Sequence, residues 1–109
     1  MNTQLNHSER LYAISLLNQF KGDYDTLAFV LEDIKQLPIS EAEWEKAERF
    51  IDESRWTWND EKGGVKTIKF SKPVTDYLVE KIESKSKAGE LGIDDRSAVT
   101  LMKKLKENE

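Results

Sequence analysis

Residues 55–70 have the sequence RWTWNDEKGGVKTIKF, and this stretch decides the fold class because the period of its apolar residues differs from that of the preceding chain. Up to residue 54, apolar residues recur every three or four positions, which is typical of one face of an α-helix. In 55–70 they alternate with polar residues, at Trp56 and Trp58 and again at Ile68 and Phe70. A period of two is typical of half-buried strands. The chain therefore combines helices with strands.

The two alternating runs predict one β-hairpin over residues 55–70. Gly63-Gly64 lies between them, where a turn needs residues that tolerate a positive φ angle. The two tryptophans then share a strand face with the apolar residues of the second run and pack inward on the helices. An exposed aromatic platform for nucleic-acid bases is the other interpretation, but the nearby basic residues lie mostly on the opposite strand face: Arg55, Lys66 and Lys69.

The first half of the chain predicts three helices. We expect the first to begin with Ser8 as its N-cap and to end at Gly22. The second follows Asp25 and Thr26 and ends before Pro38, because a residue that precedes proline is pushed out of the helical region.

The third helix has the clearest start signal. Ser40 and Glu43 have the spacing of a capping box, in which each side chain binds the free backbone amide of the other residue. The apolar period continues from there, so we predict a helix over residues 40–53. Its outward positions are acidic: Glu41, Glu45, Glu48 and Asp52.

The chain after the hairpin predicts one or two further helices. One begins at Ser71 or Lys72, with Pro73 in its first turn, where the missing amide costs nothing. Asp94 or Asp95 caps a last, short helix. The predicted fold is α+β and mostly helical, in the order ααα-ββ-αα: three N-terminal helices, one β-hairpin and one or two C-terminal helices.

Length and composition limit the class of protein. The 109 residues predict a single domain over 1–109, with residues 1–6 and 106–109 frayed. There is no cysteine, and no apolar run approaches the roughly 20 residues of a membrane span, so we expect a cytoplasmic protein of a bacterial cell that does not insert into membranes. The net charge of −4 is uneven: residues 1–54 contain 5 Lys/Arg and 11 Asp/Glu, and residues 55–109 contain 12 and 10.

Few residues suggest chemistry. His7 is the single histidine, and it lies near the terminus without a cysteine or a second imidazole to complete a metal site. The carboxylates fall on an outer helical face. We expect them to be exposed there, without the burial that would shift their pKa values for acid–base work. We therefore predict no enzyme, with no catalytic, cofactor-binding or metal-binding residue.

Two surfaces are candidates for protein contact. The first is the acidic face formed by Glu41, Glu45, Glu48 and Asp52, which would suit a basic partner. The second is a patch of apolar residues that the helices do not need for their cores, and it would make the protein a homodimer instead of a monomer: Tyr24, Phe29 and Val79.

A winged helix-turn-helix that binds DNA is the alternative. Residues 40–53 would be its recognition helix and 55–70 its wing, with the basic residues Lys46, Arg49, Arg55, Lys66 and Lys69 as DNA contacts. The six acidic residues in 40–53 would oppose DNA phosphates, so nucleic acid is the less expected partner.

Several motifs together resemble a set of small, uncharacterised proteins encoded by bacteriophages and prophages. They are ERLYAISLL, DYDTLAFVLEDIKQLPISEAEWEKAE, the W-x-W strand, KTIKF and VTDYLVEKI, and they span roughly residues 8–85. The resemblance implies a phage or prophage origin and no reaction. The function we expect is that of a small, non-enzymatic accessory protein that contacts another protein, with a protein of the host as the candidate partner.

Overall fold

The computed structural model describes residues 2–52 and 55–107, without the side chains of residues 51, 52, 55, 56 and 94. Along the chain, the elements are β1 (Asn2–Leu5), α1 (His7–Leu17), α2 (Tyr24–Ile34), α3 (Glu41–Lys46), β2 (Phe50–Asp52), β3 (Arg55–Thr57), α4 (Asp60–Gly63), β4 (Lys66–Lys69), α5 (Lys72–Lys87) and α6 (Arg96–Glu107). A 3-10 turn, Ile93–Asp95, precedes α6. The protein is mostly helical and α+β, as predicted. The predicted order ααα-ββ-αα is wrong, because the chain begins with a strand and its strands form two separate pairs.

The first pair joins the two halves of the chain. β1 runs antiparallel to β4, with Thr3 opposite Ile68 and Leu5 opposite Lys66. Thr3 and Leu5 are buried, whereas the alternate residues of β1 are exposed. Residues 2–5 of the segment that we expect to fray lie in this strand, and residues 106 and 107 lie in α6. Residues 108–109 lie outside the described part of the chain.

A β-hairpin is present, but at residues 50–57 and not at 55–70. β2 and β3 are antiparallel, with Phe50 opposite Thr57. β4 is not part of this hairpin but pairs with β1. The helical turn α4 lies between β3 and β4, capped by the Asn59 side chain, which accepts from the backbone N–H of Lys62. Gly64 ends α4 with a φ angle of 72°, so the need for a positive φ was correctly predicted although the hairpin turn was not.

The third helix ends at Lys46, so the prediction of a helix over residues 40–53 is wrong. Its last turn is closed by two backbone hydrogen bonds, from Glu48 N–H to Glu45 O and from Arg49 N–H to Trp44 O, both 3.1 Å. These bonds form a Schellman motif, which requires a residue with left-handed backbone conformation after the cap. Glu48 takes that position with a φ angle of 56°, where glycine is usual. The sequence carries no glycine to announce this end.

Helix starts were predicted with mixed success. Ser40 and Glu43 form the predicted capping box, and α5 begins at Lys72 after Ser71. By contrast, α1 is capped by Asn6 and not by Ser8, and α2 by Asp23 and not by Asp25 or Thr26.

The main core lies where α1, α5 and α6 meet the β1–β4 pair. Its largest fully buried apolar members come from these elements and the loops between them: Leu5, Leu16, Leu37, Ile68, Phe70, Leu78, Leu101 and Leu105. The Phe50 side chain, in contrast, is 62% exposed. Within residues 2–52 and 55–107, no helix combines the length and the apolar character that crossing a bilayer requires.

Candidate functional site

The predicted acidic face does not exist as one helical surface. Glu41 and Glu45 are exposed on α3, but Glu48 lies in the turn that ends the helix. Asp52 lies in β2, and its side chain is outside the described part of the structure. Residues 41–52 do not form one continuous helix, so these four carboxylates do not share one helical face.

Two of these carboxylates are also neutralised by neighbours. Arg49 binds Glu41 at 3.0 Å, and Lys62 binds Glu48 at 2.8 Å. Exposed ion pairs of this kind contribute little to stability, but they reduce the negative potential that a basic partner would meet. The acidic surface is thus weaker than the sequence suggested.

The geometry proposed for DNA binding is wrong in both parts. The predicted recognition helix is the six-residue α3, and the predicted wing is divided between β3, which pairs with β2, and β4, which pairs with β1.

The predicted DNA contacts are also dispersed. Lys46 is exposed at the end of α3, and the Arg49 guanidinium lies 5.4 Å from the centroid of the Trp44 ring. Lys66 and Lys69 are exposed on β4, and the ammonium of Lys66 donates to the carbonyl oxygen of Gln36. The Arg55 side chain is outside the described part. DNA binding stays a prediction without a formed site.

The most concentrated set of polar groups, which the sequence did not reveal, surrounds the N-terminal turn of α1. Arg10 is 1% exposed, and its guanidinium donates to the carbonyl oxygens of Leu37 and Pro38 at 3.0 and 2.6 Å and to Glu43 at 2.6 Å. The loop before α3 is thereby tied to α1. Chiefly because it accepts this hydrogen bond, the pKa of Glu43 falls from 4.5 to about 2.

A second buried charge on the same turn links α1 to the end of the chain. Glu9 is fully buried, and its Oε1 accepts from the backbone N–H of Asn6 at 2.9 Å and from the ammonium of Lys104 at 2.6 Å. Glu9 is thus both the partner in the Asn6 capping box and the anchor for α6. A glutamate in the first turn of a helix is a sequence signal for a helix start. The ion pair between Glu9 and Lys104 joins residues far apart in the chain, so the sequence does not reveal it.

Asp60 holds the other side of this turn. Its carboxylate accepts from the Ser8 hydroxyl at 2.7 Å, from the Ser8 backbone N–H at 3.2 Å and from the Trp58 indole N–H at 2.8 Å. The Trp58 ring packs edge-on against Trp44, with centroids 5.1 Å apart. Trp58 is thus half-buried against Trp44 of α3, but it follows β3 and does not share a strand face with Ile68 and Phe70, because β4 pairs with β1. The Trp56 side chain is outside the described part.

The geometry of His7 does not activate a nucleophile. Its Nε2 lies 3.1 Å from the carbonyl oxygen of Glu43 and donates to it, because a carbonyl can only accept. An activated serine needs an imidazole that accepts its proton, whereas the Ser8 hydroxyl donates to Asp60. A Cβ atom at Gly63 would lie 3.0 Å from the His7 ring, so α4 packs directly on the imidazole. These contacts join α1, α3 and α4, while His7 Nδ1 and Glu9 Oε2 are buried without a hydrogen-bond partner in the described part of the chain.

The outer side of α2 carries apolar side chains that the core does not cover. Val30 and Asp33 are the buried residues of this helix, and Asp33 anchors it by accepting from the Ser71 backbone and hydroxyl at 2.7 and 2.9 Å. Four apolar residues at spacings of three and four point away from the core, and we call them the α2 apolar face: Tyr24, Leu27, Ala28 and Leu31. Tyr24, Leu27 and Leu31 are 85%, 40% and 57% exposed.

The predicted apolar patch is only partly formed. Tyr24 and Phe29 are exposed, but Val79 packs partly buried against the core. Phe29 is also turned away from the α2 apolar face. It follows Tyr24 by five residues, which places it about 140° around the helix from Tyr24. The sequence shows the apolar period of α2, but it does not show which of these apolar residues the core covers.

Comparison of the chain with protein-family models, with curated protein sequences and with solved structures found no significant match.

Proposed function

We propose that this protein acts by binding another protein chain, without catalysis, and that its contact surface is the α2 apolar face. The observation that carries the proposal is the exposure of Tyr24, Leu27 and Leu31 at helical spacing on one side of α2. Single exposed apolar residues are ordinary on protein surfaces, but adjoining ones on a helix are typical of contact sites. We expect the partner to present an apolar surface to Leu27 and Leu31.

The polar groups of the chain support a binding role more than a catalytic one. The buried charges of Glu9 and Arg10 are engaged in ion pairs that join elements, and the Ser8 hydroxyl is held by Asp60. Within the same proposal, the protein is a phage or prophage accessory protein in the bacterial cytoplasm, which rests on the motif resemblance given above.

The experiment is a comparison of proteins retained from bacterial lysate by immobilised variants. Leu31→Lys places a charge in the α2 apolar face, and Val99→Lys makes the same change at a residue of α6 that is 65% exposed. We expect Leu31→Lys to lose the retained proteins and Val99→Lys to keep them.

A third variant tests the surface that the sequence favoured. Glu41→Lys with Glu45→Lys reverses the charge of α3 and leaves α2 unchanged. If this variant loses the retained proteins and Leu31→Lys keeps them, the contact lies on α3 and the proposal is wrong.

A further inference from the structure

The strand β1 has one paired edge and one free edge. Lys69, on the neighbouring strand β4, uses its backbone N–H and carbonyl oxygen to bind the Gln36 side chain, at 2.8 Å each. In an antiparallel ladder both backbone groups of a residue point to the same side, so those of Lys69 point away from β1. Asn2, which lies opposite Lys69, therefore makes no ladder bond with it. The same holds two residues along the strand, for Gln4 and Thr67.

The backbone groups of Asn2 and Gln4 consequently point out of the sheet at the β1 edge. Both residues are exposed, and within residues 2–52 and 55–107 no hydrogen bond occupies these outward groups. The outer edge of β4, by contrast, is covered where the Gln36 amide binds it. An uncovered strand edge is a template for pairing with another strand.

Thr3 lies between these two residues on the core side of the strand. It is 4% exposed, and its hydroxyl has no hydrogen-bond partner among the described residues. A buried hydroxyl without a partner costs free energy, so a group that reaches it stabilises a complex. A groove of about 560 Å³ adjoins this edge, and all the residues that line it are polar: Asn2, Thr3, Gln4, Thr67, Lys104 and Glu107.

We infer that the β1 edge pairs with the same edge of a second copy of this chain, antiparallel and across a two-fold axis at Thr3. This contact is separate from the α2 apolar face and goes beyond the proposed function. A two-fold contact uses one patch on both copies, so the patch must be complementary to itself. With the axis at Thr3, Asn2 of each copy lies opposite Gln4 of the other. Each such pair exchanges both of its N–H···O bonds through the groups that point outward.

The side chains match in the same arrangement. The two Thr3 residues form the central, non-hydrogen-bonded pair, where opposite side chains lie closest, so each unpartnered hydroxyl meets the other. β1 contains no charged residue, so the pairing sets no like charges opposite each other. A strand without a hydroxyl at the central position satisfies the backbone groups alone, whereas a second copy supplies that hydroxyl by symmetry.

The expected association is weak. β1 has four residues, so the contact is smaller than the roughly 1,200 Å² at which stable interfaces begin. We therefore expect a monomer–dimer equilibrium with a dissociation constant in the micromolar range or above, not a permanent dimer.

Proline at position 4 tests the backbone contact. Gln4→Pro removes an N–H that points out of the edge and leaves the ladder to β4 intact, because an edge strand accepts proline where its N–H faces solvent. Gln4→Ala keeps that N–H and is the matched control, and Leu31→Lys is the control on the α2 apolar face. In sedimentation equilibrium across a concentration series, we expect the wild-type protein and both controls to form the same dimer and Gln4→Pro to remain monomeric.

Two results of this series would overturn the inference. One is a Gln4→Pro variant that dimerises like the wild type, and a loss of the dimer in Leu31→Lys would then place the contact on the α2 apolar face. The other is a purified wild-type protein that stays monomeric up to about millimolar concentration, well above the micromolar range of weak contacts, which leaves the edge to a strand of another protein.

Thr3→Val tests the hydroxyl pair without relying on proline. Valine has a similar shape and removes a hydroxyl that is buried without a partner, so the variant monomer is expected to be at least as stable as the wild type in urea unfolding of a dilute sample. Its dissociation constant is expected to rise about two- to fivefold, the range of a lost cross-strand pair. An unchanged dissociation constant would overturn the axis at Thr3.

Disulfide trapping tests the register, since the chain contains no cysteine of its own. In the expected dimer the two residues at position 3 have Cα atoms about 4.5 Å apart, within the roughly 4.4–6.8 Å that disulfides span. Thr3→Cys is therefore expected to give a linked dimer with oxidised glutathione. Gln4→Cys is the control and is expected to stay unlinked, because this register offsets the two residues at position 4. A linked Gln4→Cys beside an unlinked Thr3→Cys would overturn the arrangement.

Discussion

At the residue scale, a few side chains in uncommon environments decide the local geometry. Glu48 adopts a left-handed conformation that L-residues other than glycine and asparagine seldom take. Arg10 and Glu9 are charged and fully buried, and each is paired with a residue far along the chain. Neither property follows from local sequence patterns, because propensities describe average environments; the ion pairs of Arg10 and Glu9 depend on tertiary contacts.

Replacing Glu48 by glycine is expected to stabilise the protein. Relief of the left-handed strain, about 1–2 kcal/mol, exceeds the entropy that glycine adds to the unfolded chain, so we expect a net gain of about 0.5–1 kcal/mol. Urea denaturation measures this change in the free energy of unfolding. Glu45→Gly, which makes the same change inside α3, is expected to lose about 1 kcal/mol. Equal losses for both variants would contradict the strained position of Glu48.

The carboxyl of Glu43 is expected to titrate far below the usual range. Its folded-state pKa of about 2 lies below its ordinary 4.5, so its charged form favours the folded state. That stabilisation is present above pH 4.5 and is lost as the pH falls toward 2, because the unfolded chain binds the proton first. A carbon-detected NMR titration of the side-chain carboxyls measures the pKa of Glu43 directly. A midpoint near 4.5 would mean that the Arg10 hydrogen bond does not form.

At the scale of elements, capping signals were more informative than apolar period. The Ser40–Glu43 box and the start of α5 were predicted from local residues, because caps are made within one helical turn. The pairing of strands was not predicted, because any strand with a period of two can pair with any other. The short strand β1 also gave little signal, since only four residues form it.

Gln36 has a role at this scale that predicts a specific effect. Its side-chain amide pairs with Lys69 as a neighbouring strand would, accepting from the backbone N–H and donating to the carbonyl oxygen, both at 2.8 Å. Gln36→Ala is expected to speed hydrogen exchange at the Lys69 amide, because this edge of β4 becomes open. Gln19→Ala, at an exposed residue after α1, is expected to leave that amide unchanged. Unchanged exchange in Gln36→Ala would refute this role.

At the scale of the whole molecule, the structure is held by contacts between the two ends of the chain. β1 pairs with β4, and Lys104 of α6 reaches Glu9 of α1. The charge difference between the two halves of the sequence is therefore not a division between two separate surfaces. Residues from both halves meet in one core.

Leu5→Ala tests the importance of the N-terminal strand. Leu5 is 0% exposed within the main core, so we expect a loss of about 2–5 kcal/mol in the free energy of unfolding. Gln4→Ala changes the exposed side of the same strand and is expected to stay within about 0.5 kcal/mol of the wild type. Thermal or urea unfolding compares the two. A frayed terminus, as the sequence suggested, would make both changes harmless.

The sequence by itself determined the mixed α+β class, the Ser40 helix start, the start of α5 and the positive φ of Gly64, because each depends on residues within one turn of one another. It also determined that apolar residues recur at helical spacing in α2. The tertiary structure alone decided that β4 pairs with β1, that α3 stops at Lys46 and that Tyr24, Leu27 and Leu31 remain uncovered. These outcomes depend on which surfaces meet, and the hydrophobic effect that drives them is not directional.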